Sequence, residues 1–559
     1  SQHVVYDAIS SSGILDANEL CFGMRKLPDY QFRNADCIVS FGADFLGSWL
    51  SPTEYAKDYA FRRKINDQNM FMSKHIQFEG SMSMTGTNAD DRFFMKPSDE
   101  MKALNHLYNE LVGKEAIAVK ALDKTLKTGL RKTVKALKNA TGSSLVISGS
   151  NNKYIQSLVN LINFELGNYG NTISFQRPAN YRQGNDAEMV HLVEEMEKGE
   201  IGAVVLWDVN PAYNYYDTEA FKKAYKNVSV KISLNAKLDE TGMLSDYACP
   251  DHHYLESWND AEPKAGIYSL TQPVIAPLFK TRAGSESLLH WSGKSQTYYD
   301  FIRAHWEKHI HKITDGSFTS FWDKCLHDGI CERESNGNNV NDIKLNVGQI
   351  NIASAGINNV SGDIDLHLYQ NVSVGDGNRS NNPWLQELPD PVTKVTWDNY
   401  AMLSRKKAEA LGVTQEDIIN IKSGEKSIEL PVVIQPGQKE DVVGVALGYG
   451  RKMAGRIFDK EQNEKVRLTH ADYANLKEPN DDNYNFTSNW GTNSYPMVHW
   501  NGENFIYSTG VSVSKTGEKY LLAQTQSHHH INPGVRPIVR EVSYESYLND
   551  PYAGYTKYK

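Results

Sequence analysis

The chain has 559 residues, of which 40% are hydrophobic and 23% charged, and its formal net charge is -9. This composition is typical of a globular protein with several cores, since a domain takes about 150 residues. The acidic balance disfavours nucleic acid as a partner, because phosphate binding depends on Lys and Arg. No apolar run in the sequence reaches the roughly 18 residues of a membrane helix. The chain begins with Ser1 rather than Met, and we expect it to be a piece of a longer protein.

The first third of the sequence alternates strand and helix patterns. Cys37–Phe41 and His75–Phe78 are predicted strands, each followed by a turn or a Gly- and Ser-rich loop. Residues 99–139 form a predicted helical tract, interrupted near Gly113 and Gly129. Its basic residues from Lys114 to Lys138 alternate with apolar ones, which indicates a solvated basic face. A docking surface for an acidic partner is the alternative.

A second α/β region follows. Ser144–Ser148, Ala203–Trp207 and Val228–Leu234 are predicted strands, and 154–166 and 187–198 are predicted helices. Alternating strands and helices favour a parallel sheet, whose ligands bind at the carboxyl ends of the strands. Asn210-Pro211 and Glu240-Thr241 are expected at that edge. The Gly149-Ser150 turn indicates a phosphate-binding loop only weakly, since no GxGxxG motif occurs.

The stretch Asp239–Pro277 concentrates carboxylates and histidines within a predicted loop region. Such clusters are more often hydrogen-bonded loops than metal sites. His252 and His253 are adjacent, so their side chains diverge, whereas a helical zinc site needs two histidines on one face. Neither HExxH nor CxxC occurs here. We therefore predict no metal site and no catalytic residue in this stretch.

The cysteines are scattered along the chain and fit no iron–sulfur pattern: Cys21, Cys37, Cys249, Cys325 and Cys331. We expect most of them to be buried thiols, and we expect no iron–sulfur cluster in this segment. A disulfide between Cys325 and Cys331 is an alternative in an oxidising compartment.

The last third changes to short β-like segments separated by Gly, Asn and Ser. Predicted strands are 364–369, 393–397, 417–422, 427–434 and 520–524, with one helix over 401–411. Residues 431–437 and 444–451 are typical of barrel strands with sharp corners. Trp397 is expected to be largely buried. Residues 473–491 are a predicted insertion, and His528, His529 and His530 are interpreted as a loop network rather than a metal tract, because consecutive residues of an extended chain face alternate sides.

Several motifs resemble those of the molybdopterin oxidoreductases. ETGMLSDYACPDHHYLESWND at 240–260 and QPVIAPLF at 272–279 match the end of that family's third domain. ADCIVSFGADFLGSWLSP at 35–52 and SMTGTNAD at 83–90 occur in the family's order. LPDPVTKVTWDNY at 388–400 and LAQTQSHHHINPGVRPIVRE at 522–541 resemble one branch in particular, the large iron–sulfur subunit of bacterial alternative complex III.

The resemblance implies parallel-sheet α/β domains of the molybdopterin oxidoreductase type followed by a double-psi-like β-barrel. We place the domains at 1–139, 140–315 and 353–559, with a connector at 316–352. The family's pterin cofactor would face the Asn210 and Glu240–Asp246 loops, but that branch holds no molybdenum. We therefore expect a vestigial pterin cleft, closed by His252, His253, Glu256 and Trp258. Its expected residues are Asn210, Pro211, Glu240, Thr241, Asp246, His252, His253 and Glu256.

In molybdenum enzymes of the family, a Ser, Cys or selenocysteine side chain binds the metal. That position falls near Ser10, Ser11 and Ser12, which we interpret as a Ser-rich turn. The implied function is a cofactor-free structural and docking domain of a quinol-oxidising complex on the periplasmic side of the inner membrane. Implied partners are a multihaem cytochrome c subunit, a downstream iron–sulfur domain and integral membrane quinol-binding subunits. The alternatives are an active molybdopterin oxidoreductase subunit and an α/β solute-binding protein.

Overall fold

The chain forms helix-flanked parallel sheets, an antiparallel sheet and a closed barrel in this computed structural model. The structure describes residues 2–65, 67, 70–113, 122–335, 337–338, 343–346, 362, 364–453, 455, 491–525 and 542–554. Residues 473–490 of the predicted insertion over 473–491 and the three histidines at 528–530 lie outside these residues. No described helix has the length and apolar character to cross a membrane.

The first sheet is parallel and has the strand order β4-β3-β2-β5. Its strands are β2 (Cys37–Phe41), β3 (Lys74–Glu79), β4 (Asp91–Phe94) and β5 (Ser144–Ser148). Because β5 pairs with β2, the predicted domain boundary at 139/140 falls inside this sheet. The helices of this region are α1 (Ser12–Phe22), α2 (Pro52–Arg63), α3 (Met84–Thr87), α4 (Glu100–Val112), α5 (Lys124–Asn139) and α6 (Lys153–Glu165).

The predicted helical tract over 99–139 is divided once within its described residues. α4 ends at Gly113, whose φ of 70° is left-handed, and Asp123 caps the start of α5. Gly129 does not interrupt α5, so the second predicted break is wrong. A Cβ there would lie 2.8 Å from the Phe93 ring, which explains the glycine. α5 buries Leu126, Leu130, Val134 and Leu137 and exposes most of its basic residues.

The second parallel sheet has the order β7-β8-β9. Its strands are β7 (Ala203–Leu206), β8 (Val230–Ser233) and β9 (Tyr247–Ala248). Val204 and Leu206 point into a core shared with α7 (Asp186–Glu197) and α9 (Thr218–Lys226), and the short α8 (Pro211–Asn214) follows β7. The predicted strand at 203–207 is half-buried rather than buried, since its alternate residues are exposed.

An antiparallel sheet of order β1-β6-β10-β11-β12 joins distant parts of the chain. Its strands are β1 (Leu27–Tyr30), β6 (Ile173–Ala179), β10 (Asn259–Lys264), β11 (Ile267–Thr271) and β12 (Ile330–Glu332), and the helices beside it are α10 (Gly284–Trp291), α11 (Tyr298–His309) and α12 (Phe318–Asp328). The predicted connector over 316–352 thus contributes α12 and β12 to a packed core. Cys325 and Cys331 are buried free thiols within it.

The closed barrel has the order β13-β17-β14-β16-β15-β20. Its strands are β13 (Ile364–Gln370), β14 (Ala401–Leu403), β15 (Asp417–Ser423), β16 (Lys426–Ile434), β17 (Val442–Leu447) and β20 (Ser508–Lys519). β13 pairs with β17, and β14 with β16, in parallel; the other pairs are antiparallel. The double-psi assignment stays a prediction. The other described elements of the last third of the chain are β18 (His499–Trp500), β19 (Phe505–Ile506), α13 (Pro383–Glu387), α14 (Arg405–Leu411) and α15 (Tyr544–Asn549).

Four predictions for this region are wrong. The 393–397 segment is not a strand, because Lys394 and Trp397 have φ of 65° and 68° and only Val395 forms a β-bridge, with Gln524. Trp397 is half-buried rather than largely buried. The predicted helix over 401–411 begins as β14, and the predicted strand at 520–524 lies beyond the end of β20.

Candidate functional site

The carboxyl ends of β7 and β8 meet through the side chain of Asn210. Its Nδ2 donates to Glu240 Oε2 at 2.8 Å, and its Oδ1 accepts from Thr241 N at 3.1 Å and Thr241 Oγ1 at 2.6 Å. Thr241 Oγ1 also accepts from Ala212 N at 3.0 Å, beside Pro211 at the start of α8. The structure therefore brings together four predicted cleft residues: Asn210, Pro211, Glu240 and Thr241.

Arg451, which follows β17 of the barrel, closes this contact from the opposite side. Its Nε lies 3.1 Å from both Glu240 carboxylate oxygens, and its Nη2 donates to Oε2 at 2.8 Å. The backbone N–H groups of Lys452 and Met453 donate to Glu240 Oε1 at 2.8 and 3.0 Å. The guanidinium also donates to the Gly377 carbonyl and lies 4.7 Å from the centre of the Tyr213 ring. The space between the two strand ends is thus filled by the barrel.

These contacts fix the charge of Glu240. Burial alone would favour the neutral acid, but the hydrogen bonds and charge of Arg451 outweigh it and lower the pKa of Glu240 to about 2. Burial likewise opposes the charge of Arg451, yet Glu240 raises the pKa of the guanidinium. Both groups are ionised near neutral pH, so the contact is a buried, bidentate ion pair.

The other predicted residues lie apart from this ion pair. Asp246 faces Lys231 on β8, 3.1 Å from its Nζ, and the hydrogen bonds from Lys231 lower the pKa of that carboxyl. Glu256 accepts from His253 N and from Leu278 N, both at 2.9 Å, and His252 N donates to Asp251 at 2.7 Å. These contacts join residues of the loop before β10 to each other and to the loop after β11.

The expected closure of the cleft by His252, His253, Glu256 and Trp258 is therefore wrong. Trp258 packs on Tyr299 at 4.7 Å, in a different core. Arg451 takes the closing role instead. It is the last residue of the predicted barrel segment 444–451, and no local pattern connects it with Glu240.

A cavity of about 210 Å³ lies between the first parallel sheet and the barrel. Its walls come from the turns after β2, β3 and β5, from the segment before α1, and from β13. Ser10 and Ser11, at the position that resembles a metal ligand, line this cavity. Ser12 does not, and its Oγ donates to Asp16 at 2.9 Å. Other lining residues are Asp44, Glu79, Ser81, Met82, Glu100, Ser150, Arg182, His367, Tyr369 and Met402.

The acids of this cavity already have partners in the protein. Asp44 accepts from Thr85 N at 3.0 Å and from Thr85 Oγ1 at 2.7 Å, so the SFGADF and SMTGTNAD motifs bind each other. Glu79 pairs with Arg92 at 2.6 Å and accepts from Ser83 Oγ at 2.6 Å. A Cβ on Gly86 would collide with Glu79, which explains the glycine in the second motif. The motif residues therefore have structural roles here.

His367 is the cavity residue that sequence reasoning missed. Gln438 Nε2 donates to Ser81 Oγ at 3.1 Å, and Ser81 Oγ lies 3.2 Å from His367 Nδ1. The Ser81 hydroxyl has one proton and two lone pairs, so it can accept from Gln438 and still either donate to His367 Nδ1 or accept from it. Burial lowers the pKa of His367 to about 4, so the imidazole is uncharged at neutral pH.

The cavity that Ser10 and Ser11 line is small for a pterin dinucleotide. Sites for drug-sized ligands measure about 300–1,000 Å³, and this cavity measures about 210 Å³. The turns after β2 and β5 touch, since a Cβ on Gly149 would lie 2.5 Å from the Gly42 carbonyl oxygen. Arg451 fills the other candidate space, which lies between the strand ends that carry Asn210 and Glu240. Among the described residues, no group of three or more His, Cys, Asp and Glu side chains is arranged to hold a metal ion.

Comparison with known proteins identifies one sequence relative and a shared fold. No protein-family model matches the chain. A menaquinone reductase, molybdopterin-binding-like subunit from Nitratidesulfovibrio vulgaris is 26% identical over 285 residues, covering 47% of this chain and 38% of that protein. The match thus spans well under half of the relative.

Among solved structures, the acetylene hydratase from Pelobacter acetylenicus superposes with a TM-score of 0.53 at 12% identity, over 79% of this chain and 74% of that one. At this identity the likeness concerns the fold. The chain is thus similar in part of its sequence to a molybdopterin-binding-like subunit, and it shares the fold of the acetylene hydratase.

Proposed function

We propose that this chain is a cofactor-free structural and docking domain of a respiratory complex of the alternative complex III type. In this proposal, electrons pass from quinol through iron–sulfur clusters and c-type haems, in other segments or subunits, to cytochrome c or a terminal oxidase. The observation that carries the proposal is the Arg451–Glu240 ion pair, which fills the cleft where the family resemblance would place a nucleotide.

Two further observations support a non-catalytic role. The cavity acids Asp44 and Glu79 are bound within the protein by Thr85 and Arg92, so neither is available to a substrate. The relative from Nitratidesulfovibrio vulgaris is named as a molybdopterin-binding-like subunit of a menaquinone reductase. That name supports a quinone as the substrate of the complex, while the direction of the reaction, quinol oxidation, rests on the motif resemblance.

The proposed partners follow from the same resemblance. They are a multihaem cytochrome c subunit, a downstream iron–sulfur domain and integral membrane quinol-binding subunits. The proposed location is the periplasmic face of the inner membrane, as the peripheral part of the complex.

Metal and pterin analysis of the purified complex tests the proposal. We expect iron from clusters and haems, and molybdenum, tungsten and oxidised pterin each well below one per complex. The positive control is a molybdenum enzyme purified in the same way. Stoichiometric molybdenum or tungsten with pterin would overturn the proposal and establish the alternative, an active molybdopterin oxidoreductase subunit.

A substitution in the predicted loop separates structure from chemistry. Glu256→Gln keeps the size of the side chain but weakens the acceptor that holds His253 N and Leu278 N. We expect a lower melting temperature and an unchanged rate of quinol oxidation per intact complex. A rate loss in complexes that remain fully assembled would contradict the docking role.

A further inference from the structure

Within the residues that the structure describes, one face of the sheet β7-β8-β9 is exposed. The register places Ala203 beside Val230 and Val205 beside Ile232, and Ile232 beside Tyr247. These residues and Trp207 lie on the side opposite to the buried Val204 and Leu206. We call this side the bare face; its residues are Ala203, Val205, Trp207, Val230, Ile232 and Tyr247. None of them is charged, and all are exposed except the half-buried Ile232.

Among the described elements next to the sheet, no helix covers this face. α7 and α9 both pack on the opposite side, in the core that contains Val204 and Leu206. Every residue between β8 and β9 is described, and the helical structure there is one short 3-10 helix, Gly242–Leu244. Parallel sheets occur almost always with both faces covered, by helices. The described part of the chain therefore lacks one layer of the usual architecture.

An ordered apolar loop extends the bare face beyond the strand ends. Trp207 Nε1 donates to Asp251 at 2.8 Å, and a Cβ on Gly284 would lie 2.9 Å from the Trp207 ring. The segment from Asp251 to β10 exposes Tyr254, and the segment from β11 to Gly284 exposes Val274, Leu278 and Phe279. Their backbones are held together, because Val274 N donates to Leu255 O at 2.7 Å and Leu278 N donates to Glu256. We call these four side chains the apolar loop.

The area of this surface matches one side of a stable interface. Trp207 is 42% exposed, Tyr247 60%, Tyr254 67% and Phe279 77%. With about 200 Å² for each fully exposed aromatic side chain, these four contribute on the order of 500 Å². The aliphatic residues of the bare face and the apolar loop bring the total towards the ~800 Å² that each partner buries in a standard interface. Lone monomers rarely expose so much contiguous apolar area.

We propose that the bare face and the apolar loop form the docking surface for an α-helical layer of another polypeptide of the complex, with an apolar stripe facing the sheet. The uncharged face excludes a partner that binds by charge. A second copy of this chain would stack sheet on sheet, which is typical of antiparallel sandwiches, whereas parallel sheets pack against helices. This inference rests on the proposed function in one respect, the presence of a complex.

Site-specific photo-crosslinking in the intact, purified complex tests the surface. A benzoylphenylalanine replaces Tyr247 in one variant and Val205 in a second. The matched control carries it at Lys223, an exposed position of α9 on the opposite side of the sheet. We expect crosslinks from 247 and 205 to a helical segment of a different polypeptide, and none to that segment from 223. Crosslinks to a second copy, or none at all in an intact complex, would overturn the proposal.

Charge substitutions supply an independent readout. Tyr247→Glu and Val205→Asp change exposed side chains, so the melting temperature of the isolated chain should stay unchanged. The amount of the crosslinked polypeptide that stays bound in the purified complex should fall about tenfold or more, since a charge at the centre of an apolar interface costs at least ~1.4 kcal/mol of binding free energy. The complex with Lys223→Glu should keep that polypeptide fully. If the complexes of all three variants keep it fully, the proposal is overturned. If the crosslinks form in an assembly that lacks haem and quinol oxidation, the proposed function fails while the docking surface stands.

Discussion

Glu240 accepts hydrogen bonds from Asn210 after β7, from Arg451 after β17 and from the backbone of Lys452 and Met453. A carboxylate at the end of a parallel strand is a common ligand contact. Here the protein satisfies it completely. The same residue type at the same position can therefore bind a ligand in one protein and connect two domains in another. Only the three-dimensional structure distinguishes the two cases.

Replacing Arg451 by Ala should destabilise the protein by about 3–5 kcal/mol, because it leaves the buried carboxylate of Glu240 without its counter-ion. Urea unfolding at neutral pH measures the effect. Adding Glu240→Gln should recover part of the loss, since it removes the uncompensated charge. The control is Lys406→Ala, which breaks an exposed pair with Glu440 and should cost at most about 1 kcal/mol. Equal losses in the two single variants would contradict the role of Arg451.

Glu100 gives a pH-dependent prediction. Burial raises its pKa from 4.5 to about 7, despite a hydrogen bond from Ser148. The folded state therefore keeps a proton that the unfolded chain loses, and the contribution of this group to stability falls as pH rises from about 4.5 to about 7. The Glu100→Gln variant lacks this pH-dependent contribution to the free energy of unfolding.

The stability of the Gln variant relative to the parent should rise by roughly 1.4 kcal/mol per pH unit inside that window. Urea unfolding of both proteins in steps of pH measures it. Asp186 and Asp398, whose pKa values burial also raises to about 7, are present in both proteins and cancel in the difference. Parallel pH profiles would show that Glu100 is ionised in the folded state.

At the scale of single elements, apolar periodicity predicted most strands of the two parallel sheets within one to three residues, because fully or half-buried strands need β-branched and aliphatic runs. The pattern failed where local hydrogen bonds override it. Residues 393–397 alternate like a strand, but Asp390 accepts from Val392 N and Thr393 N and imposes a turn. Ala401–Leu403 has helical propensity, yet it lies between β16 and β17 and completes the barrel.

Gly129 within α5 is a second case in which packing outweighs propensity. Ala is normally about 1 kcal/mol better than Gly inside a helix. Here its Cβ would lie 2.8 Å from the ring of Phe93. Gly129→Ala should therefore destabilise by about 1–3 kcal/mol, as overpacking does. Thermal and urea unfolding measure it. In a Phe93→Leu background the same substitution should become neutral or stabilising; a stabilising effect in the parent would contradict the packing argument.

At the scale of the whole molecule, the candidate site was predictable in part. Topology places Asn210 and Glu240 on one sheet edge, and the structure confirms that they meet. Arg451 was not predictable, since it lies 211 residues from Glu240 and reaches it only because the barrel packs against the second sheet. The bare face was not predictable for a similar reason. A sequence shows the apolar pattern of a strand but not which face of the sheet a helix will cover.

The units of the molecule should unfold together. Asn151 joins them, since its Nδ2 donates to Asp186 and to the Phe505 carbonyl, both at 2.9 Å, and its Oδ1 accepts from Gly13 N at 2.8 Å. We expect one calorimetric transition, with tryptophan fluorescence and far-ultraviolet circular dichroism coinciding. Asn151→Ala should lower the melting temperature and separate the two optical transitions, because it leaves buried partners unpaired. Two transitions in the parent protein would contradict the coupling.

The 211 residues between Glu240 and Arg451 also separate them in time during synthesis. At about 5–20 residues per second, Glu240 leaves the ribosome roughly 10–40 seconds before its partner exists. During that interval the nascent second α/β unit has an open cleft and a solvated carboxylate. The arrival of Arg451 ends this stage, so whatever occupies the cleft before then must leave before the barrel can seal it.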